Sequence, residues 1–449
     1  MIPTLPQIFS AKKLVVISVF ILLLGFAFSR SLDKARANAT SDPTPTPCPT
    51  CASSPPSEQV IYTPLTDFKE SSLTEINLNC RASDAIDVVP TFYTLDGLPV
   101  VGDTLHLTPA QMKFVDIQTL IPPVYRGKRD WGGMTLSYTG HLMEVWAQMT
   151  YHGKDNSFNA FFNAMGAPSS NTRNAVWQMP KGSKATIVLG NYSDAPALAT
   201  VTFANGDNQK VTVPAHGTEI FTRNGKNKGD VESVSIKSDG EFGRLYPMGF
   251  VSSERDDFQT SIRFADTENI AQPNLYATNF RLKNTTPSIV LKNTTDDPVN
   301  ALAKFFPMTS GDAVELAALS VPANGIISLD LESLTAAVRT RSELDSVSVQ
   351  IISSGGNGSL IGAANFTNKI TGVRYDIPLR DSGAKRNSAG SVPVRLDGDY
   401  STIYAVTNVG EQPGKFQMRV FFNGEDHYQM YPQELAPGAS AVFDLLKPN

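Results

Sequence analysis

"IVLKNTTDDPVNALAKFF", Ile289 to Phe306, restates a phrase the chain has already used: "IVLGNYSDAPALATVTF", Ile187 to Phe203. Each copy has an apolar run, an Asn, an Asp-x-Pro step and then an alternating segment. In the earlier copy Ala199, Val201 and Phe203 alternate with Thr200 and Thr202, the period of a half-buried strand. Asn and Asp close local side-chain hydrogen bonds in turns, and Pro stops the preceding strand. The phrase therefore reads strand, turn, strand.

It recurs along the chain. The Asn stands at Asn191, Asn293 and Asn408, with a weaker copy at Asn79, at separations of 112, 102 and 115 residues. An apolar-Pro step follows each, at Pro109, Pro214, Pro322 and Pro437, which lie 30, 23, 29 and 29 residues beyond their asparagines. A third shared stretch closes the first three copies, as in "VESVSIKSDGEFGRLYPMGF" and "LDSVSVQIISSGGNGSLIGAANF". Ordered landmarks at a period of this kind indicate tandem homologous domains.

Short β-branched or aromatic runs such as "ATIVL", "SVSVQII" and "ISLDL", separated by Gly, Asn, Asp and Pro, predict an all-β protein of tandem immunoglobulin-like β-sandwiches. The expected boundaries are 60–165, 180–266 and 284–381, with a shorter β unit at 392–449. That last unit lacks the third landmark. It is expected to be completed by residues 60–75 or by its neighbour, or to pack as a smaller sheet on the third sandwich. Each sandwich is expected to keep its own core.

The strand pairs "NTTDDPVNALAKFF" and "NVGEQPGKFQMRVFFNG", each followed by a Pro-led strand, resemble the cell-adhesion-related (CARDB-type) modules of exported bacterial proteins. The resemblance covers mainly the first half of each repeat. It implies extracellular binding, spacing or adhesion, and it carries no catalytic residues.

Ahead of the repeats, residues 1–40 read as a signal peptide or membrane anchor. Lys12 and Lys13 precede an uncharged run over 14–29, which as a helix spans about 24 Å. Small residues at "ARANA" suit cleavage, whereas the charges after the run, lengthened by snorkelling, suit a retained anchor. Either way the protein is exported, to the cell surface, the periplasm or the medium, and meets the membrane only through this segment. Residues 41–59 are a Pro/Thr-rich stalk. Cys48 and Cys51 within it suit a local or intermolecular disulfide better than a redox pair, and Cys80 reads as a buried thiol.

The charge balance, 38 Lys and Arg against 43 Asp and Glu, leaves no basic field for nucleic acid. The histidines at 106, 141, 152, 216 and 427 never fall at metal-ligand spacing. His216 occupies a turn position where other repeats carry Asn324 and Gly438. Acidic pairs such as Asp256-Asp257, Asp296-Asp297 and Asp397-Gly-Asp399 read as solvated turn carboxylates rather than calcium ligands. No catalytic residue, metal or cofactor is expected, and the protein is read as a non-enzyme. One ligand-binding candidate stands out. In "HLMEVWAQMTYHG" the alternation puts Met143, Val145, Ala147, Met149 and Tyr151 on the core face and Trp146 outside, as a stacking platform for a sugar ring or an anchor for a protein. The expected partner is an envelope protein or polysaccharide. The first functional reading is a structural or adhesive spacer, and the alternative is a carbohydrate-binding protein using Trp146.

Overall fold

The computed structural model describes residues 55–64, 72–153, 159–163, 171–227, 229–239, 245–253, 258–270, 272–282, 284–307, 313–316, 318–331, 346–370, 374–381, 403–416, 419–422, 426–429 and 433–444. The segment 14–29, most of the stalk and both of its cysteines lie outside these residues. The described residues of Pro56–Asn449 belong to one compact unit, built almost wholly of antiparallel sheets, and among the described residues no helix is long and apolar enough to cross a membrane.

Three pairs of sheets follow one plan. Each pair has a clamp sheet, which contains the strand ending at the repeated Asn, and a lead sheet, which contains the strand that opens the pair. In the first pair the lead sheet runs Ser57–Pro64, Trp131–Gly140, Ile86–Thr94, Pro99–Val101, and the clamp sheet runs Met112–Asp116, Ser72–Cys80, Val145–Gly153, Asn159–Asn163. In the second the orders are Thr172–Met179, Asp230–Asp239, Ala197–Phe203, Asn208–Val213 and Thr218–Asn224, Lys184–Asn191, Leu245–Ser253, Phe258–Ile262. The third repeats this around Leu275–Arg281, Ser346–Ser353 and Val299–Pro307 in one sheet and Ile326–Asp330, Thr285–Asn293, Leu360–Asn368 and Arg374–Pro378 in the other. Beyond it, Ile403–Thr407 pairs with Ser440–Asp444, Gly414–Phe416 with Gln433–Leu435, and Arg419–Phe422 with Asp426–Gln429.

The period-two pattern locates the cores. Ala197, Ala199, Val201 and Phe203 are buried while the threonines between them are half-buried, and Val299–Pro307 behaves in the same way. In the third pair, Ile289, Leu291 and Phe366 of one sheet meet Phe305, Val349 and Ile351 of the other in one apolar cluster. Each such side chain contributes roughly 1.5–3 kcal/mol when it leaves water. A single helical turn, Ile117–Leu120, is started by the Asp116 carboxylate accepting the Gln118 N–H at 2.9 Å.

Several expected boundaries shift. The strands Thr172–Met179 and Leu275–Arg281 fall in stretches read as connecting segments, so the second and third pairs open earlier than residues 180 and 284. From Arg173 to Trp177 every residue is buried, which leaves no alternation to read. Ser57–Pro64 reaches back into the end of the stalk and pairs with Trp131–Gly140 in the first pair, so it does not complete the terminal strands. Each pair keeps its own apolar cluster, and apolar contacts also cross the junctions. Val188 and Met248, from the second clamp sheet, belong to the first apolar cluster, and Val176, Val290 and Ile361 form a further cluster between the second and third pairs.

Candidate functional site

The repeated Asn is a clamp. Asn191 is fully buried, and its Nδ2 donates to the carbonyls of Ala195 at 2.8 Å, Val213 at 3.2 Å and Pro214 at 2.9 Å. Its Oδ1 accepts the Ser193 N–H at 3.0 Å and the Ser193 hydroxyl at 2.8 Å. Asn293 does the same with Asp297, Val321 and Pro322 at 2.7, 3.2 and 3.1 Å. Asn408 donates to Gln412 at 2.8 Å and Leu435 at 2.9 Å. One amide thus joins the turn after its own strand to the Pro turn, which is why these landmarks travel together.

In the first pair the clamp position belongs to Cys80, not Asn79. The clamp N–H bonds the far turn at 2.9 Å as Asn191–Gly217, Asn293–Gly325 and Asn408–Ala439, and the corresponding bond is Cys80–Gln111. Burial pushes the Cys80 thiol up, opposed by the Ala82 N–H that its sulfur accepts. Cys80 is therefore buried and free, as expected. Asn79 sits one residue earlier and points to the other face. Pro109 and Pro437 are likewise one place further along their turns than Pro214 and Pro322. The turn closures run from Gln111 to Thr108 and from Ala439 to Ala436, against Gly217 to Pro214 and Gly325 to Pro322.

The left-handed turn position is held by Ala110, His216, Asn324 and Gly438, with φ of 57°, 54°, 53° and 75°. His216 is a turn residue, as read. Its Nε2 lies 2.8 Å from Asp194 Oδ1, where Asn324 Nδ2 donates to Asp296 at 2.9 Å. Among the described residues no group of three or more His, Cys, Asp or Glu side chains is placed to hold a metal. Asp256-Asp257 and Asp397-Gly-Asp399 lie outside the described residues.

The outward residue just before the clamp meets the preceding pair in every later repeat. Gly190 lies under Tyr62, whose Oη would be 2.1 Å from a Cβ placed there. Tyr62 is buried and its phenol is held far above the usual range by loss of solvent. Beside it Thr218 donates its hydroxyl to the Gly132 carbonyl at 2.6 Å. The next equivalent, Lys292, donates to Ser233 Oγ at 2.9 Å. Its burial lowers the ammonium pKa, against the pull of Glu232. Thr407 bonds Thr278 of the third pair, and close by Ser348 donates to the Gly438 carbonyl at 2.9 Å.

The junction of the second and third pairs also has a polar half. Arg374 donates to the Gln178 carbonyl at 2.8 Å, and Ser288 donates to Gln178 Oε1 at 2.9 Å. Asp376 stands 3.9 Å from Arg374 Nε. Burial raises the Asp376 carboxyl pKa despite that guanidinium.

Trp146 lies across the ladder from Asn79 and is half-buried, on the side opposite Val145, Ala147 and Met149, which are buried in the core. Its outward reading agrees with this register. Met143 does not join the core face. It sits in the turn before the strand with φ of 68° and is 57 % exposed, because the strand begins only at Val145. Trp131 and Trp177 are core residues at 2 % exposure, so Trp146 is the tryptophan available for contacts. Tyr62, Gly190, Lys292 and Thr407 were missed by sequence reasoning. The available signal was the one position that changes in "VLGN", "VLKN" and "AVTN" while its neighbours keep their type.

No protein-family model matches the chain, and a search of curated proteins finds no match.

Proposed function

We infer that this is an exported, non-catalytic scaffold of the cell envelope, structural or adhesive, made of tandem immunoglobulin-like sandwiches of the CARDB type. The observation that carries the reading is the contact made at one outward position in successive repeats, Gly190 under Tyr62, Lys292 on Ser233 and Thr407 on Thr278. Beads on a string need no such contacts. A protein whose task is to hold a surface at a fixed distance and orientation does. The two-sheet plan with one core per pair and the repeated clamp support the immunoglobulin-like assignment. The lean charge and the apolar run over 14–29 support export.

A carbohydrate-binding protein is the second reading, favoured by the half-buried Trp146 flanked on its face by the amides of Asn79 and Gln148. The test is retention of purified residues 56–449 on insoluble cell-wall polysaccharides and on a panel of purified envelope proteins. Capture by one protein, with no activity in the purified material, supports the scaffold. Retention on a glycan that Trp146→Ala loses selects the second reading. Hydrolytic turnover by highly purified protein would overturn both.

A further inference from the structure

The junction of the second and third pairs buries more polar atoms than it pairs. Ser288, Asn365 and Asp376 lie side by side across the third clamp sheet, Ser288 facing Asn365 and Asn365 facing Asp376. Arg374 is two residues from Asp376 on the same strand, so both point to one face. Thr260, from the last strand of the second clamp sheet, stands near the Asp376 carboxyl, though not aligned to bond it. Thr260, Asn365 and Arg374 are each more than nine-tenths buried.

Arg374 sets the orientation of its neighbours. Its Nη2 donates to the Gln178 carbonyl at 2.8 Å and to Asn365 Oδ1 at 3.3 Å. A guanidinium only donates, so the Asn365 oxygen faces it and Nδ2 is turned away. That Nδ2, the Thr260 hydroxyl and Asp376 Oδ1 are buried with no hydrogen-bond partner among the described residues. Ser288 is not among them, because Gln178 Oε1 accepts its hydroxyl at 2.9 Å. Buried polar atoms almost always find a partner, so three in one place mark a seat for a bound group.

Charge decides which group. The Asn365 amide and the Thr260 hydroxyl donate at any pH, and Asp376 donates once it is protonated. Guanidiniums surround them. Arg374 Nε is 3.9 Å from Asp376 Oδ1, the exposed Arg263 also acts on that carboxyl, and the exposed Arg380 acts on Arg263. Tyr246, a further neighbour of Arg263, stays neutral, its pKa pushed up to about 12 by burial. Donors inside a cationic rim select an anion. Directly opposed residues in a ladder stand about 5 Å apart at Cβ, which suits a single ion and not a polyatomic one.

We propose that this pocket binds one small monovalent anion, of the size and charge of chloride, and that a proton enters on Asp376 with it. Thr260 of the second pair and Asn365 and Asp376 of the third donate to the same ion, which ties the junction. An ionised Asp376 sets its charge against the anion, so proton and anion bind together. Burial, which raises the Asp376 pKa despite Arg374, works in the same direction. The site concerns the junction alone and is independent of whether the chain is a scaffold or a carbohydrate-binding protein.

The test is the Tm of the purified protein in sodium chloride against sodium gluconate, whose anion is too bulky to enter, at matched ionic strength. It is run at about pH 4.5 and about pH 8, either side of the window set by the raised carboxyl. Chloride is expected to raise Tm in acid, by about 2–4 °C for each tenfold in concentration once the site fills, and to do much less at the higher pH. Asp376→Asn, neutral throughout, should show the acid slope at both. Thr260→Val keeps the shape, removes a donor and should lose the slope. Crystals grown in bromide should show an anomalous peak between Thr260, Asn365 and Asp376. Equal Tm in the two salts in acid, a slope that a folded Thr260→Val retains, an Asp376→Asn slope confined to acid, or an ordered water in place of the bromide peak overturns the proposal. Should Thr260→Val fail to fold, the bromide map of the parent protein and the Asp376→Asn slope decide it.

Discussion

Removing the Asn293 amide strips hydrogen bonds from three carbonyls, of which that of Val321 belongs to a fully buried residue. Asn293→Ala is expected to destabilise the protein by about 3 kcal/mol, since unsatisfied buried polar groups cost about 1–3 kcal/mol each. Urea unfolding measures it, and a loss within error of zero would show that water replaces the amide. Cys80→Asn installs the amide in the one pair that lacks it. This variant is expected to fold with a Tm equal to or above that of the parent, whereas Cys80→Ser should lose stability. The clamp was legible as a repeated Asn with a trailing Pro, because turn chemistry leaves its residues in the sequence. What misled the reading in the first repeat was the neighbouring Asn79: identity was matched where register decides, and only strand pairing shows that Cys80 fills the place.

At the scale of elements the sheet junctions behave as fitted surfaces. Gly190→Ala drives a Cβ into the Tyr62 hydroxyl, and overpacking of this kind costs about 1–3 kcal/mol. Adding Tyr62→Phe removes the clashing oxygen, so the double variant should recover more than half of the loss. A double-mutant cycle showing additivity would refute the contact. The Asp376 carboxyl gives a pH signature. Burial raises its folded pKa above 3.8, so the folded state holds the proton more tightly and stability falls as pH rises from about 4 through the folded value. Asp376→Asn removes that loss. Its stability relative to the parent should therefore grow with pH across this window and be smallest in acid, as read from urea midpoints. The strand pairs within each repeat were legible from alternation, as in Ala197–Phe203. The opening strand Thr172–Met179 was not, because a strand buried from Arg173 to Trp177 without a break carries no period.

For the molecule as a whole, clusters that run across the junctions predict coupled unfolding. Calorimetry of residues 56–449 should show the first two sheet pairs melting in one transition. Val188→Asp, which places a charge in the shared cluster, should split it into two. Chelation with EDTA should leave the melting profile unchanged, since among the described residues no acidic cluster is placed to hold a cation. The all-β class was legible from the alternating runs. The docking faces were not, because the outward residues that decide them follow no period and matter only through the surface opposite.

One position has a consequence for how the modules are ordered. The residue before each clamp is fitted to its own neighbour: a glycine where the Tyr62 hydroxyl presses closest, a lysine where a hydroxyl waits, a threonine where another threonine stands. Exchange the second and third modules and the Lys292 ammonium lands under Tyr62, Gly190 meets Thr278 in place of Thr407, and Ser233 meets Thr407 in place of Lys292. The order of the modules is thus written in one letter per module, and any exchange among the later three would unfit the contacts made there.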